Sequence, residues 1–522
     1  MSKAKYIALF IVVWTATNCF DKAIASEADS LQTSLSTESI LLLKSPWSGS
    51  ENAAGLQFFE MPQRLGTASL FYNNNKGDFH RFQEAQENLQ YGFYTNGYTT
   101  FQQWKFYGDF SYYKQLEKDI LWTDVMHPYN DNPYTIGDDI GGKYRKEYFE
   151  MNAKAALHIS NALNFGFEMN YQTGVGTRRK DPRPVNKETN FKFKPGLVYT
   201  FDRYNLGLNF KIETATEDIN IELVADSTYT YYNFKGLGTF SSTFERDPRI
   251  HQSTTFGGSL QFGFTSNRLQ NMTEIGFFQK ETDIKRGVDI PLQVVLLEKF
   301  QTDVNSVFLI NPNKQSINRL KFSFNDKHIY GHEPVVEPKL VQENFQWEAI
   351  TKYVLYWHKE NTIGLTYDYL KLIDNNHFNW GTSLGGNIYT SESKYFFVPE
   401  KNKQKLNYYK LNAAVRKEIM ASFANIIIEI NGAWQNGFNS SFQLVVDEIL
   451  LQSVNTDFVE TDFNYFNNGM TEAGLSASLG KTIKLYSKKM QLYLDAGYNK
   501  QFSQMPGNPN RSFVDLQFGV NF

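Results

Sequence analysis

From Val514 to Phe522 every even position is apolar (Val514, Leu516, Phe518, Val520, Phe522), while the odd positions Asp515, Gln517, Gly519 and Asn521 are polar or small. Successive side chains of a β-strand point to opposite faces, so this is a two-faced strand that ends on an aromatic residue. An apolar end fraying into water gains little; closing a barrel in lipid gives both faces and the free edge a use. The pattern recurs upstream. Met490, Leu492, Leu494, Ala496 and Tyr498 share one face, and Leu206, Leu208, Phe210 and Ile212 alternate with Asn205, Gly207, Asn209, Lys211 and Glu213. A soluble sheet protein of 522 residues would ordinarily divide into domains joined by linkers, yet the alternation runs from Thr67 to Phe522 without a Pro- or Gly-rich break.

Spanning by helices is excluded, because no run after the first 25 residues approaches the ~20 apolar residues a membrane helix requires. Even Ala424–Ile430 is interrupted by Asn425 and Glu429. The 44 Phe and 31 Tyr suit a lipid face with aromatic girdles. A formal net charge of -3 gives no electrostatic case for nucleic acid as a partner. At the other end, Lys3 and Lys5, the apolar run Tyr6–Ala16 and the small-x-small triplet Ala23-Ile24-Ala25 predict a secretory signal over 1–25. Cys19 would otherwise mark a lipoprotein, but Asn18 precedes it where such sites carry Gly or Ala. It is the sole cysteine, so no disulfide is expected in the exported chain.

The predicted fold is therefore all-β: a transmembrane antiparallel barrel of about 16 strands, within 14 to 18, with short periplasmic turns and long extracellular loops. Short turns are expected at 102–104, 160–161, 202–203, 266–271, 358–360, 419–422 and 485–488. Long connections are expected at 116–144, 174–189, 215–249, 287–342, 371–403 and 436–468; Val294–Phe308 and Leu320–His328 within them would add a pair of strands. The domain reading is 1–25 signal, 26–65 an N-terminal segment that is either a periplasmic lead-in or a lumen plug, and 66–522 the barrel.

The terminal strand resembles the C-terminal strands of bacterial outer-membrane barrels, which the assembly machinery reads. That resemblance implies an assembly signal at Phe518 and Phe522 and a place in the outer membrane of a diderm bacterium. Ser50-Glu51-Asn52-Ala53-Ala54-Gly55-Leu56 resembles the Asn-Pro-Ala-Gly segment of fatty-acid-transporter-like barrels, with Ala53 in place of Pro, which implies a gated lumen. Gly77-Asp78-Phe79, Gly108-Asp109-Phe110-Ser111-Tyr112 and Asp181-Pro182-Arg183-Pro184 resemble an uncharacterised family of outer-membrane β-barrel proteins. That likeness implies architecture and no activity.

No catalytic residue, metal site or cofactor is read from the chain. The eight histidines show neither an HExxH pattern nor a nucleophile partner, and His328 and His332 are expected in a solvated loop. Two loops suggest binding. Trp122, Asp124, Tyr134, Asp138 and Asp139 combine aromatic platforms with carboxylates, as glycan or cation sites do; the alternative is packing of the loop onto the rim. Arg178, Arg179, Lys180 and Arg183 concentrate four positive charges on a proline-braced loop suited to phosphate or carboxylate; the alternative is an Arg–Asp brace. Lumen-facing Lys192, Lys194, Lys211, Lys410 and Arg416 are set against Glu150, Glu168, Glu213, Asp368, Glu429 and Asp495. The functional expectation is a non-enzymatic solute channel or receptor of unknown substrate. The rival is a non-conducting structural or assembly partner of a secretion or transport complex. Expected partners are membrane lipid and lipopolysaccharide, the barrel assembly machinery, and a lipoprotein or transporter.

Overall fold

The computed structural model describes residues 34–60, 64–225, 227–287, 292–313, 315–341, 344–396, 401–445, 453–485 and 488–522; the expected signal, 1–25, lies outside them. Eighteen antiparallel strands close into one barrel. They are β1 Arg64–Gly77, β2 Glu87–Phe101, β3 Trp104–Ile120, β4 Gly142–Ser160, β5 Leu163–Arg178, β6 Arg183–Phe201, β7 Tyr204–Glu222, β8 Arg249–Thr265 and β9 Leu269–Arg286. The second half holds β10 Leu292–Ile310, β11 Ser316–Val341, β12 Asn344–Leu372, β13 Phe378–Phe396, β14 Lys401–Met420, β15 Asn425–Gly437, β16 Met470–Leu485, β17 Lys488–Ser503 and β18 Asn510–Asn521.

The first and last strands pair from Thr67↔Asn521 to Gly77↔Arg511, which leaves neither as an edge. Gly66 and Phe522 exchange both backbone hydrogen bonds at 2.9 Å. A Cβ on Gly66 would sit 2.7 Å from the Phe522 ring, so a larger residue there would displace that ring. Alternation sends Leu206, Leu208, Phe256, Leu260, Leu494 and Phe518 outward, each exposed. The opposite faces meet inside, where Glu168 lies 3.3 Å from Lys154 and 3.0 Å from Lys194, and Arg319 lies 3.6 Å from Asp368.

The strand number is 18 rather than about 16. The expected long connection 287–342 contains all of β10 and β11, and 371–403 contains β13. The reason is composition. β13 carries Gly381, Gly385 and Gly386 with Ser, Thr and Asn, and above the apolar band both strand faces are polar, so period two fades although pairing continues. The expected turn 358–360 lies inside β12, and the true turns are 311–315 and 373–377. Residues 174–189 form a tight hairpin with only 179–182 between strands, and His328 and His332 lie on β11 rather than in a loop. β11 and β12 continue as a free two-stranded ribbon past their neighbours, whose pairing stops at Leu296↔His332 and Tyr356↔Tyr395.

Candidate functional site

Residues 34–60 lie inside the barrel at its turn end. They form a helix, Thr37–Lys44 (α1), with Glu38 in its first turn and Lys44 in its last, as the helix dipole favours. Two 3-10 turns follow, Pro46–Gly49 and Ala53–Phe58. Asn52, 2 % exposed, locks the second turn by accepting from the Ala54 N–H at 3.0 Å. Its amide donates to the Leu197 and Leu208 carbonyls at 3.0 and 3.3 Å and to Gln261 Oε1 at 2.8 Å. Such close approach to the wall depends on missing side chains: a Cβ at Gly166 would meet Ala54 N at 2.3 Å, and one at Gly196 would meet Asn52 Oδ1 at 2.3 Å. Lys105 Nζ donates to the Gln57 and Phe59 carbonyls at 2.9 and 2.6 Å. Across the lumen, Asn96 donates to Glu38 at 3.0 Å, Arg319 to Ser48 at 3.2 Å, and Ser34 to the Asn376 carbonyl. The segment therefore reaches from β2 round to β11.

At the loop end the connections fold inward. Two-residue strands Ile136–Gly137 and Ser453–Val454 flank a hairpin, Tyr231–Gly236 with Thr239–Thr243. Beside them runs a helix, Thr456–Asn467 (α2), capped by Asn455 accepting from Phe458 N at 3.0 Å. The two predicted binding loops come together here, as a brace. Arg178, its side chain 1 % exposed, lies 3.1 Å from Asp124 and bonds Asp138, both fully buried. Burial, with Asp138 alongside, pushes the Asp124 carboxyl well above its ordinary range against the pull of Arg178. Trp122 stands edge-on to Tyr232 at 4.9 Å and Tyr134 is 2 % exposed, so both are packing residues. Asp139 accepts from the Tyr232 hydroxyl at 3.5 Å. Arg183 binds Asp181 at 2.5 Å, and Arg179 and Lys180 are exposed. α2 is held by Asp462, which accepts from Arg81 at 2.8 Å and from the Phe82 N–H at 2.9 Å.

Beneath this roof lies a chamber of about 710 Å³, walled by β1–β10 and β18. Its carboxylates face basic side chains: Glu117 lies 2.8 Å from Lys146 and Glu84 3.8 Å from Arg511, while the imidazoles of His127 and His251 lie 3.1 Å from Glu188 and 3.8 Å from Glu217. Asp131 descends from the roof to Lys299 at 3.2 Å and Lys327 at 3.0 Å. Burial raises the Asp131 carboxyl, but the two ammonium groups outweigh it and hold the group below its ordinary value. Lys280 also lines the chamber, opposite Lys299 in the strand register, and makes no hydrogen bond or ion pair among the described residues. A smaller cavity of about 460 Å³, lined by Tyr389, Tyr408, Lys410 and Tyr465 among others, lies against β12–β17.

The sequence reading missed the chamber residues Lys146, Lys280 and Lys299, because each is an ordinary polar position of an alternating strand. It also placed α2 in a long connection, although Asn455 before Thr456-Asp457-Phe458 is a readable N-cap. Among the described residues no group of three or more His, Cys, Asp or Glu could hold a metal ion.

Among solved structures, the RagAB peptide transporter matches with TM-score 0.42 and 7% identity, covering 88% of this chain and 87% of that one. The ferric preacinetobactin receptor BauA from Acinetobacter baumannii matches with TM-score 0.37 and 9% identity over 88% and 79%. A FadL homologue from Pseudomonas aeruginosa matches with TM-score 0.34 and 9% identity over 91% and 94%. Likeness this distant says nothing of what the present chain binds. No curated protein matches the chain. The family of unknown function DUF6850 matches residues 53–522, and the chain belongs to that family.

Proposed function

We propose that the protein is an outer-membrane solute-uptake barrel or receptor held in a closed state, with residues 34–60 as a plug and the folded loops as a roof. One observation carries the reading: a polar chamber of about 710 Å³ sits in the lumen under the roof, with residues 34–60 across the turn end. A scaffold that only anchors partners gains nothing from such a space, whereas a receptor that loads from one side and releases to the other requires it. The outward apolar face and the joined first and last strands support placement in a membrane, and the short turns at one end support that end as periplasmic. Lys280, the chamber lysine with no hydrogen bond or ion pair among the described residues, favours a solute that carries a negative group.

Planar-bilayer recording tests the reading. The intact protein should show little conductance, and a variant lacking residues 34–60 should open in discrete steps. A plugless barrel that inserts and folds yet stays silent would remove the uptake reading in favour of a filled scaffold.

A further inference from the structure

The outer surface of the barrel is not uniform above its apolar band. On β12, β13 and β14 the outward positions at the loop end form two cross-strand rows, Trp357↔Lys394↔Lys403 and Lys359↔Glu392↔Lys405, with Lys401 opposite Phe396 one step beyond. Five lysines therefore share one patch, against two neighbouring carboxylates among the described residues. Glu392 lies 2.9 Å from Lys394 and 3.1 Å from Lys403, and Asp326 lies 3.9 Å from Lys359. Lys394 Nζ also sits 4.4 Å above the Trp357 ring, which fixes it at the surface. Lys401 and Lys405 are exposed and form no ion pair among the described residues.

The same hydrogen-bonded row continues the other way round the barrel as Tyr330, Glu298 and Glu281. One side is thus basic and the next acidic at one register level. Like charges crowded across strands destabilise a sheet, so a lysine patch of this kind calls for anions supplied from outside the chain.

The patch has a defined height. Toward the turn end come a polar row, Asn361↔Thr390↔Asn407, and then the apolar row Ile363↔Ile388↔Tyr409. Ile363, Ile388, Leu365 and Leu411 are each 44 to 51 % exposed on the outer face. At about 3.3 Å per residue, Lys359 stands roughly 13 Å along the strand from Ile363. That is headgroup level above a hydrocarbon-facing band, within reach of flexible ammonium arms.

We propose that Lys359, Lys394, Lys401, Lys403 and Lys405 form a binding site for the phosphate groups of a phosphorylated outer-leaflet glycolipid. Its acyl chains lie against the apolar band below, and its phosphates lie between the ammonium groups. The site rests on the outer-membrane placement proposed above, with the loop end outward, but not on solute uptake. It also replaces the buried Arg178 loop as the anion-binding surface.

The test uses full-length protein in neutral detergent, titrated with bis-phosphorylated lipid A and followed by native mass spectrometry. Lys359→Gln/Lys394→Gln/Lys403→Gln/Lys405→Gln should weaken binding by at least about tenfold, since each surface lysine contributes a share of lipid attraction. Lys500→Gln, at an outward position of β17 away from the patch, should leave it unchanged. Dephosphorylated lipid A should bind the wild-type protein at least about tenfold more weakly than the phosphorylated form does, a comparison that holds even if the variant folds poorly. Equal wild-type binding of the two lipids, or full binding by a folded quadruple variant, would overturn the site. Competition by inorganic phosphate at equal concentration would assign the patch to the free ion instead. A barrel that binds the lipid but never conducts would keep this site and remove the uptake reading.

Discussion

The two closures of the lumen are built from different interactions. At the turn end, residues 34–60 are held by single hydrogen bonds: neutral ones from Asn52 to the Leu197 and Leu208 carbonyls and from Gln57 to the Ala156 carbonyl at 2.7 Å, and charge-assisted ones from Lys105, from Arg319 and to Glu38. Their one ion pair to the wall among the described residues, Glu51 with Lys194, is long at 3.6 Å and half exposed on the Glu51 side. At the loop end the contacts are ionic: Arg178 with Asp124 and Asp138, Asp131 with Lys299 and Lys327, Arg81 with Asp462. Backbone hydrogen bonds are indifferent to salt, whereas partly exposed ion pairs are screened by it. The Asp131 pairs are therefore the part of the roof that ionic conditions can loosen, whereas the fully buried Arg178 brace is screened far less.

The largest expected effect comes from the roof. Arg178→Ala leaves two buried carboxylates without their cation and should cost about 3 to 5 kcal/mol, as breaking a buried ion pair does. Denaturant unfolding would measure it, and limited proteolysis within 121–141 would place it. Wild-type protease resistance of that loop would mean the brace does not hold the roof.

The floor should respond next. Asn52→Leu removes side-chain hydrogen bonds to four partners and should cost about 1 to 3 kcal/mol. It should also produce a leak conductance that does not change with salt once ion concentration is normalised. A leak that grows steeply with salt would erase the contrast between the two closures.

Asp131→Asn should cost about 1 kcal/mol, because Asp131 is partly exposed and its pairs are partly screened. Raising salt from 0.1 to 1 M shortens the screening length from about 10 to about 3 Å and should loosen the wild-type roof in the same direction. Hydrogen exchange over 121–141 would report both, and opposite responses would sharpen the comparison against the present reading.

The smallest effect lies at the turn 373–377, which touches residues 34–60 through the bond from Ser34 to the Asn376 carbonyl. His377 donates toward Glu418 at 2.7 Å, and that bond, with the charge of Glu418, raises its pKa above 6.5 despite partial burial. A histidine raised in the folded state stabilises fully below its unfolded pKa of about 6.5, and this contribution is lost as pH rises through the folded value. Proton NMR of His377 should show a midpoint above that reference, and Glu418→Gln should return it. An unshifted midpoint in the wild-type protein would show that the pair does not form.

Much of the architecture is legible in the sequence because a barrel wall is a local pattern. Phe518 and Phe522 on one face, Asp515 and Gln517 on the other, and Leu494 beside Asp495 each state which way a side chain points, and the partner strand merely confirms it. Charges expected inside, such as Lys194 and Glu168, do meet there. The limit appears where apolar positions thin out: the outward face of β13 carries Trp380, Leu384 and Ile388 but Thr382 and Gly386 between them, so period two is broken, its pairing with β12 and β14 reads as a loop and the strand number comes out short.

The lumenal site was fixed only by tertiary structure. Arg178 lies 40 residues from Asp138 and reaches it from a separate hairpin, so no spacing rule reveals that the basic and acidic loops neutralise each other. The lysine patch is assembled from three strands, and Lys359, Lys394 and Lys403 become neighbours only through sheet register. The sequence by itself determined what is repeated along the chain, the alternation and the closing terminus. The tertiary structure alone decided what depends on distance between remote segments, because burial and charge pairing are properties of a place and not of a stretch of chain.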